Sequence, residues 1–170
     1  DLEIFNVDNN LIEGIDNNKK WRFRLKNLDN VFDCISEDPA AIIYSSGSTG
    51  RPKGIVVSHK NIYDGAKIVT NYLGTNEDDK IIAVLSFNFD YGLNQIWQTI
   101  LNCSTLYIYD LLLPNDFFSF VERNKITVLP LMPVIISRLF DKRFFNSKIN
   151  FDLSSVRYIS TSGGKVSSEM

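Results

Sequence analysis

The residues most able to do chemistry lie between Tyr44 and Gly54, in the run Tyr-Ser-Ser-Gly-Ser-Thr-Gly-Arg-Pro-Lys-Gly. Its glycines free the backbone for unusual dihedrals and for close approach to a ligand. The hydroxyls of Ser45, Ser46, Ser48 and Thr49 can converge with amide hydrogens on anionic oxygens, and Lys53 adds a positive charge. These are the parts of a polyphosphate cradle. A Walker A loop has a different grammar, with Gly-Lys-Ser/Thr opening a helix. Here Lys53 follows Pro52, which has no amide hydrogen, and precedes a β-branched run that reads as a strand. A P-loop kinase is therefore disfavoured, and a plain Ser/Gly hairpin loop is the bland alternative.

Two further segments carry polar or glycine-rich chemistry after apolar runs. Ser86–Gln95 contains Phe89, Asp90 and Gly92 at the start of a helical pattern; Thr161–Lys165 contains Ser162, Gly163, Gly164 and Lys165. Asp90 suits either an N-cap or a buried partner for a cationic group. Gly163-Gly164 alone reads as a turn. His59, the single histidine, suits a helix start better than catalysis, and a multi-His metal site is excluded.

The elements that must position these residues alternate. Ala40–Ser45 reads as a buried strand and Gly54–Ser58 as a second one. Ser58 caps a helix over His59–Leu73, closed by Gly74, with Ile62, Ala66, Val69 and Leu73 on one face. Strands follow at Lys80–Leu85, Thr105–Tyr109, Ile126–Leu129 and Val156–Ser160. Between them lie a buried helix over Leu93–Leu101, with Leu93, Ile96, Trp97, Ile100 and Leu101 inward, and a short helix over Phe117–Asn124. A helix opening at Pro133 carries Ile136, Leu139 and Phe140. Residues 1–38 are polar and Asn-rich, with a possible edge strand at Trp21–Leu25. Such alternation predicts an α/β fold, a largely parallel sheet flanked by helices, whose ligands sit at the carboxyl ends of the strands.

The 170 residues suffice for one core, and 44% hydrophobic with 22% charged is ordinary for a globular chain. A net charge of -2 gives no electrostatic case for nucleic acid or a membrane surface. Cys34 and Cys103 have neither zinc-ribbon nor disulfide spacing and sit among apolar neighbours, which predicts packed, reduced thiols in a cytoplasmic protein. No signal peptide and no membrane span are read from the sequence. The first residue is not Met and the last, Met170, follows no closing element, so the chain is expected to be an internal piece of a longer protein.

The ordered string from Ser46 to Gly54, set between two strands, resembles the signature loop of the adenylate-forming (AMP-binding) superfamily, which includes acyl-CoA synthetases and peptide-synthetase adenylation domains. The likeness runs from about Ala40 to Lys165. It implies that Ser45, Ser46, Gly47, Ser48, Thr49, Gly50 and Lys53 hold ATP phosphates, with Ser45 standing where Thr is common. It implies that Phe89, Asp90 and Gly92 line the acid pocket, and that Ser162, Gly163, Gly164 and Lys165 contact adenine and ribose. In peptide-synthetase domains an Asp at the position of Asp90 pairs with an α-ammonium. The string Asp90–Gln95, with Asn61–Ala66 and Arg157–Gly164, looks closer to exopolysaccharide (exosortase)-associated acyl-CoA ligases. Residues 1–38 then form a polar segment of uncertain packing and 39–170 a partial AMP-binding domain. The implied activity is ATP-dependent conversion of a small-molecule carboxylic acid to an acyl-adenylate, with Mg²⁺, then transfer to CoA or a carrier-protein pantetheine. Amino-acid adenylation is the alternative, and a non-catalytic nucleotide-binding module is a third. The principal catalytic Lys and Glu are expected beyond Met170, no metal ligand falls in this segment, and the fragment alone is expected to be inactive.

Overall fold

The structure, a computed structural model, describes residues 3–8, 11–16, 19–24, 34–45, 52–141, 143 and 150–164. In chain order the elements are β1 (Glu3–Asp8), β2 (Leu11–Asp16), β3 (Lys19–Arg24), β4 (Pro39–Ser45), β5 (Lys53–Ser58), α1 (His59–Leu73), β6 (Lys80–Ala83), α2 (Asp90–Asn102), β7 (Thr105–Ile108), α3 (Pro114–Asn124), β8 (Val128–Leu131), α4 (Pro133–Leu139) and β9 (Tyr158–Thr161).

Seven strands form one sheet in the order β3-β2-β1-β7-β6-β8-β9. Four of them, β7-β6-β8-β9, pair in parallel, as the strand–helix alternation predicts. The other three extend the sheet by antiparallel pairing, β1 on β7 and then β2 and β3. The expected edge strand near Trp21 is β3, at the sheet's margin. The Asn-rich character of residues 1–24 hid the other two strands.

Period-two alternation sorts the parallel strands onto two faces. Ile82, Tyr107, Leu129 and Leu131 pack against α3 and α4, where Phe117, Phe118, Phe120 and Leu139 are buried. Ile81, Ala83, Leu106 and Val128 pack on the other face with Ile96 of α2. α2 and α4 therefore lie on opposite faces. The connection leaving β6 runs through α2 to β7, whereas that leaving β8 runs through α4 to β9, away from it. Neighbours β6 and β8 thus send their chains in opposite directions, which makes a topological switch point at their carboxyl ends.

Local sequence opens that point. The β6–β8 ladder is limited to Ile81↔Val128. Pro130, two residues further along β8, has no N–H to offer a neighbour. At the amino ends the strands are held together instead. Buried Asp79 accepts bonds from Thr127 Oγ1 (2.6 Å), Arg157 Nη1 (2.5 Å) and Asn76 N (2.9 Å), and Arg157 Nη2 donates to Gly74 O (3.0 Å). Burial pushes the Asp79 carboxyl up, but Arg157, Thr127 and the Asn76 amide outweigh it and the net direction is down.

Three packing expectations need correction. β4 is not buried: it forms a separate two-stranded antiparallel hairpin with β5, leaving Ile42 and Tyr44 57% and 66% exposed. The polar side of α2 is the one sealed, with Gln95, Gln98 and Thr99 buried, while Ile100 is exposed and Leu93, Ile96, Trp97 and Leu101 are half-buried. The buried polar groups bond within α2 itself, as in Thr99 Oγ1 to Gln95 O (2.8 Å) and Gln95 Nε2 to Tyr91 O (3.3 Å), so their burial leaves few unsatisfied donors. The thiols are not packed either. Cys34 lies before β4 and Cys103 is the left-handed cap of α2 at φ 54°, and both are exposed.

Candidate functional site

The glycine-rich loop connects β4 to β5. Residues 46–51, which include Ser46, Gly47, Ser48, Thr49 and Gly50, lie outside the described residues. Its two ends are fixed: Ser45 and Lys53 face each other in register at the open end of the hairpin. The seven-residue span between them is a strand-to-strand connection, unlike a P-loop that enters a helix. The hairpin is seated by α1, which follows β5 without a break. Ser58 caps α1: its Oγ accepts from Asn61 N (3.2 Å), and Asn61 Oδ1 accepts from Ser58 N (3.2 Å), a full capping box. His59 is exposed at the first helical position, and its amide donates to Asp38 O (3.1 Å). The helix-start position is as expected, but the capping side chain is that of Ser58.

The turn from β6 into α2 is tight. Phe89 N donates to Ser86 O (3.2 Å), and Asn88 N to Ser86 Oγ (3.2 Å). Phe89, not Asp90, is the N-cap, and it makes no side-chain cap bond. Asp90 is the first helical residue; its Oδ1 accepts from Tyr91 N (2.7 Å), and its charge complements the positive end of the helix dipole. Gly92 is buried, and an added Cβ would stand 2.3 Å from Ser86 O. Its glycine is therefore required for the β6–α2 turn, a packing role that does not depend on substrate.

Asp90 lines a cleft of ≈ 130 Å³ whose other walls include Ala41 and Ile43 of β4, Val57 of β5, Asn61 of α1 and Trp97 of α2. The hairpin that holds the glycine-rich loop and the first turn of α2 thus share one cleft. Phe89, one residue before Asp90, is 65% exposed, and neither it nor Gly92 lines this cleft. A second cleft, ≈ 420 Å³, opens at the carboxyl ends of β6 and β7 and is lined by Leu85, Ser86, Phe87 and Tyr109.

Ser162, Gly163 and Gly164 follow β9 and cross the carboxyl end of β8; Lys165 lies outside the described residues. Gly163 has φ 84°, a left-handed conformation that disfavours any side chain. A Cβ there would also meet Met132 Cε at 3.1 Å. The segment is therefore shaped to run close over the β8–α4 turn. Among the described residues, no group of three or more His, Cys, Asp or Glu could hold a metal ion. No helix among them is long and apolar enough to cross a membrane.

The profile of the AMP-binding enzyme family matches residues 7–170. The chain belongs to that family. This AMP-binding domain is 37% identical over 116 residues to the delta-poly-L-ornithine synthetase of Acinetobacter baumannii, a match covering 66% of the chain and 9% of that protein. It is 33% identical over 137 residues to a probable CoA ligase of Humulus lupulus, covering 79% of the chain and 24% of that protein. Among solved structures, the ATP-bound MatB of Rhodopseudomonas palustris matches with a TM-score of 0.64 and 26% identity, covering 76% of the chain and 25% of that protein. The AMP-binding domain described here therefore spans a quarter or less of each of these relatives.

Sequence reasoning placed Asp90, Phe89 and Gly163 at the strand ends where they are found. It missed Asn61, although Ser58 with a hydrogen-bonding side chain three residues on is the signal for a capping box. It also missed Tyr91 and Ser160, whose hydroxyl oxygens lie 2.8 Å apart, because their pairing joins positions 69 residues apart.

Proposed function

We propose that the protein containing this domain converts a carboxylic acid to an acyl-adenylate at the expense of ATP and passes the acyl group to a thiol. In the first step a carboxylate oxygen attacks the α-phosphorus, the O–P bond forms, the Pα–O–Pβ bridge breaks, and pyrophosphate leaves. Two anions must meet in that step, so fixed donors and positive charge must offset their repulsion. The loop from Ser45 to Lys53 has the donor chemistry for the departing pyrophosphate: hydroxyls, amides made approachable by Gly47 and Gly50, and the Lys53 ammonium at the hairpin arm. Ser162–Lys165, with the open backbone of Gly163, suits the flat face of a base and the ribose. Phe89 and Asp90, on the first turn of α2, suit the acid.

The observation that carries this reading is the shared cleft, which puts the hairpin holding the phosphate loop and the helix turn holding Asp90 against the same space. The donor set fits a nucleoside triphosphate. It does not supply a carboxylate cluster for Mg²⁺ among the described residues, so the ion would be held by phosphate oxygens and groups elsewhere in the protein. The acceptor thiol is CoA, which the name of the Humulus lupulus relative carries, or a carrier-protein pantetheine, which the resemblance to peptide-synthetase adenylation domains implies.

A second reading, activation of an amino acid, is favoured by Asp90 itself, an anion beside a largely apolar cleft that could receive an α-ammonium. ATP–pyrophosphate exchange on the full-length protein with fatty, aromatic and amino acids separates the two. Stimulation by amino acids alone, lost in Asp90→Ala, selects the second reading; stimulation by simple acids that survives Asp90→Ala selects the first.

A further inference from the structure

Tyr91 and Ser160 were given no site role by the sequence, yet they tie together the segments that hold Asp90 and Gly163. Tyr91 is the second residue of α2, adjacent to Asp90. Ser160 lies on β9, two residues before Ser162. Their hydroxyl oxygens are 2.8 Å apart. Ser160 shares a strand face with Tyr158, whose ring packs with the core beneath α2, so the bond is directed from the sheet to the helix. Desolvation by burial pushes the Tyr91 phenol up, against the opposing effect of Ser160, so the phenol stays protonated at neutral pH and can donate.

Gln95, one turn further along α2, is 1% exposed and bonds back to Tyr91 O through its Nε2, while its Oε1 has no hydrogen-bond partner among the described residues. A small, partly open cavity of ≈ 10 Å³, lined by Tyr91, Gln95, Tyr158 and Ser160 among others, lies at the same junction. The first turn of α2 is therefore not fixed to β9 by tight packing alone, and the hydroxyl pair supplies the missing constraint.

We infer that Tyr91 and Ser160 form a positioning joint that sets the separation between the acid-holding turn at Phe89–Gly92 and the nucleotide-holding segment at Ser162–Gly164. The inference rests on the reading given under Proposed function. The bond made in adenylation joins an oxygen held by one of these segments to a phosphorus held through the other. Small errors in their spacing are therefore felt in the rate of the chemical step more than in the binding of either substrate. Neither hydroxyl needs to touch the substrates.

The test uses full-length protein and the variants Tyr91→Phe, Ser160→Ala and their double. Adenylate formation is followed in single turnovers, with protein in excess over labelled ATP and the acid saturating, so that the rate constant does not depend on the active fraction. Thermal melts are recorded alongside. Each single variant is expected to slow adenylation about three- to tenfold, the loss of one neutral hydrogen bond in the transition state. KM for ATP and for the acid should change by less than about twofold. The double variant should be no slower than the slower single, because both remove the same bond. Unimpaired rate constants in variants of an active protein overturn the joint, as do additive losses, or lowered melting temperatures with the rate constant intact. A wild-type protein with no acid-dependent adenylation overturns the reading of the site instead, and the joint with it.

Discussion

Replacing Gly92 by Ala is the sharpest perturbation of the acid-side turn. The new Cβ would stand 2.3 Å from Ser86 O, 2.9 Å from Ser86 C and 3.2 Å from Leu85 O. All three atoms are backbone, so no side chain can swing away and the turn from β6 into α2 must move. Overpacking of this kind costs ~2–3 kcal/mol. Alanine's better helix propensity returns about 1 kcal/mol. The net loss is about 1–2 kcal/mol, which in a domain of this size lowers the melting temperature by roughly 3–8 °C. Gly65→Ala is the internal control: Gly65 lies in the middle of α1, and its added Cβ meets nothing within 4 Å. That variant should gain up to about 1 kcal/mol. Differential scanning fluorimetry on the full-length protein reads both; Gly65 lines the cleft shared with Asp90, so it serves as a control for stability and not for activity. A Gly92→Ala protein as stable as Gly65→Ala refutes the reasoning, because the Ser86 carbonyl would then not stand against the added Cβ.

The remaining expectations concern other parts of the fold. Asp79→Ala leaves Arg157, Thr127 and the Asn76 amide without their shared acceptor and should cost about 2–3 kcal/mol, measurable by urea unfolding; a loss under ~0.5 kcal/mol would mean the network is idle. Because the folded Asp79 pKa is lowered, its contribution is fully present above the ordinary carboxylate range and fades as pH falls through the folded value; Asp79→Asn should flatten that acid limb of a stability–pH curve. Gly74 caps α1 at φ 64°, so Gly74→Ala should destabilise by about 1 kcal/mol although no atom obstructs its Cβ; an unchanged melt would contradict the left-handed cap. Lys53→Ala should raise the KM for ATP at least tenfold with little change in melting temperature, since Lys53 is exposed.

How much of this was legible in the sequence depended on whether the signal was local. Ser58, Gly74 and the Ile62–Leu73 stripe fix α1 by short-range rules, and its limits are as read. β6, β7 and β8 were legible because they are short, mostly apolar runs, which is how strands covered on both faces look, whereas β9, at the sheet margin, alternates half-buried and exposed residues. The hairpin β4–β5 has the same composition, and only its separation from the main sheet reveals that its side chains are exposed; that separation is a long-range fact. Pro130 would ordinarily argue against a central strand. It is tolerated because β6 and β8 part company after one registered pair, which is also what opens the switch point. The segments bearing Asp90 and Gly163 were found because glycine and aspartate at strand ends have local causes. Tyr91, Ser160, Asp79 and Arg157 were not, because hydroxyl and ion pairs across 69 and 78 residues leave no mark in sequence spacing.

The central claim is that this AMP-binding domain supplies the phosphate loop and the acid-side turn of an adenylating enzyme. The most direct measurement is ATP–pyrophosphate exchange by the full-length protein across a panel of carboxylic and amino acids, with Lys53→Ala alongside. The account predicts exchange that depends on a particular class of acid and falls at least tenfold at sub-saturating ATP in Lys53→Ala. Exchange absent with every acid in a folded, ATP-binding protein, or exchange indifferent to Lys53, would contradict it.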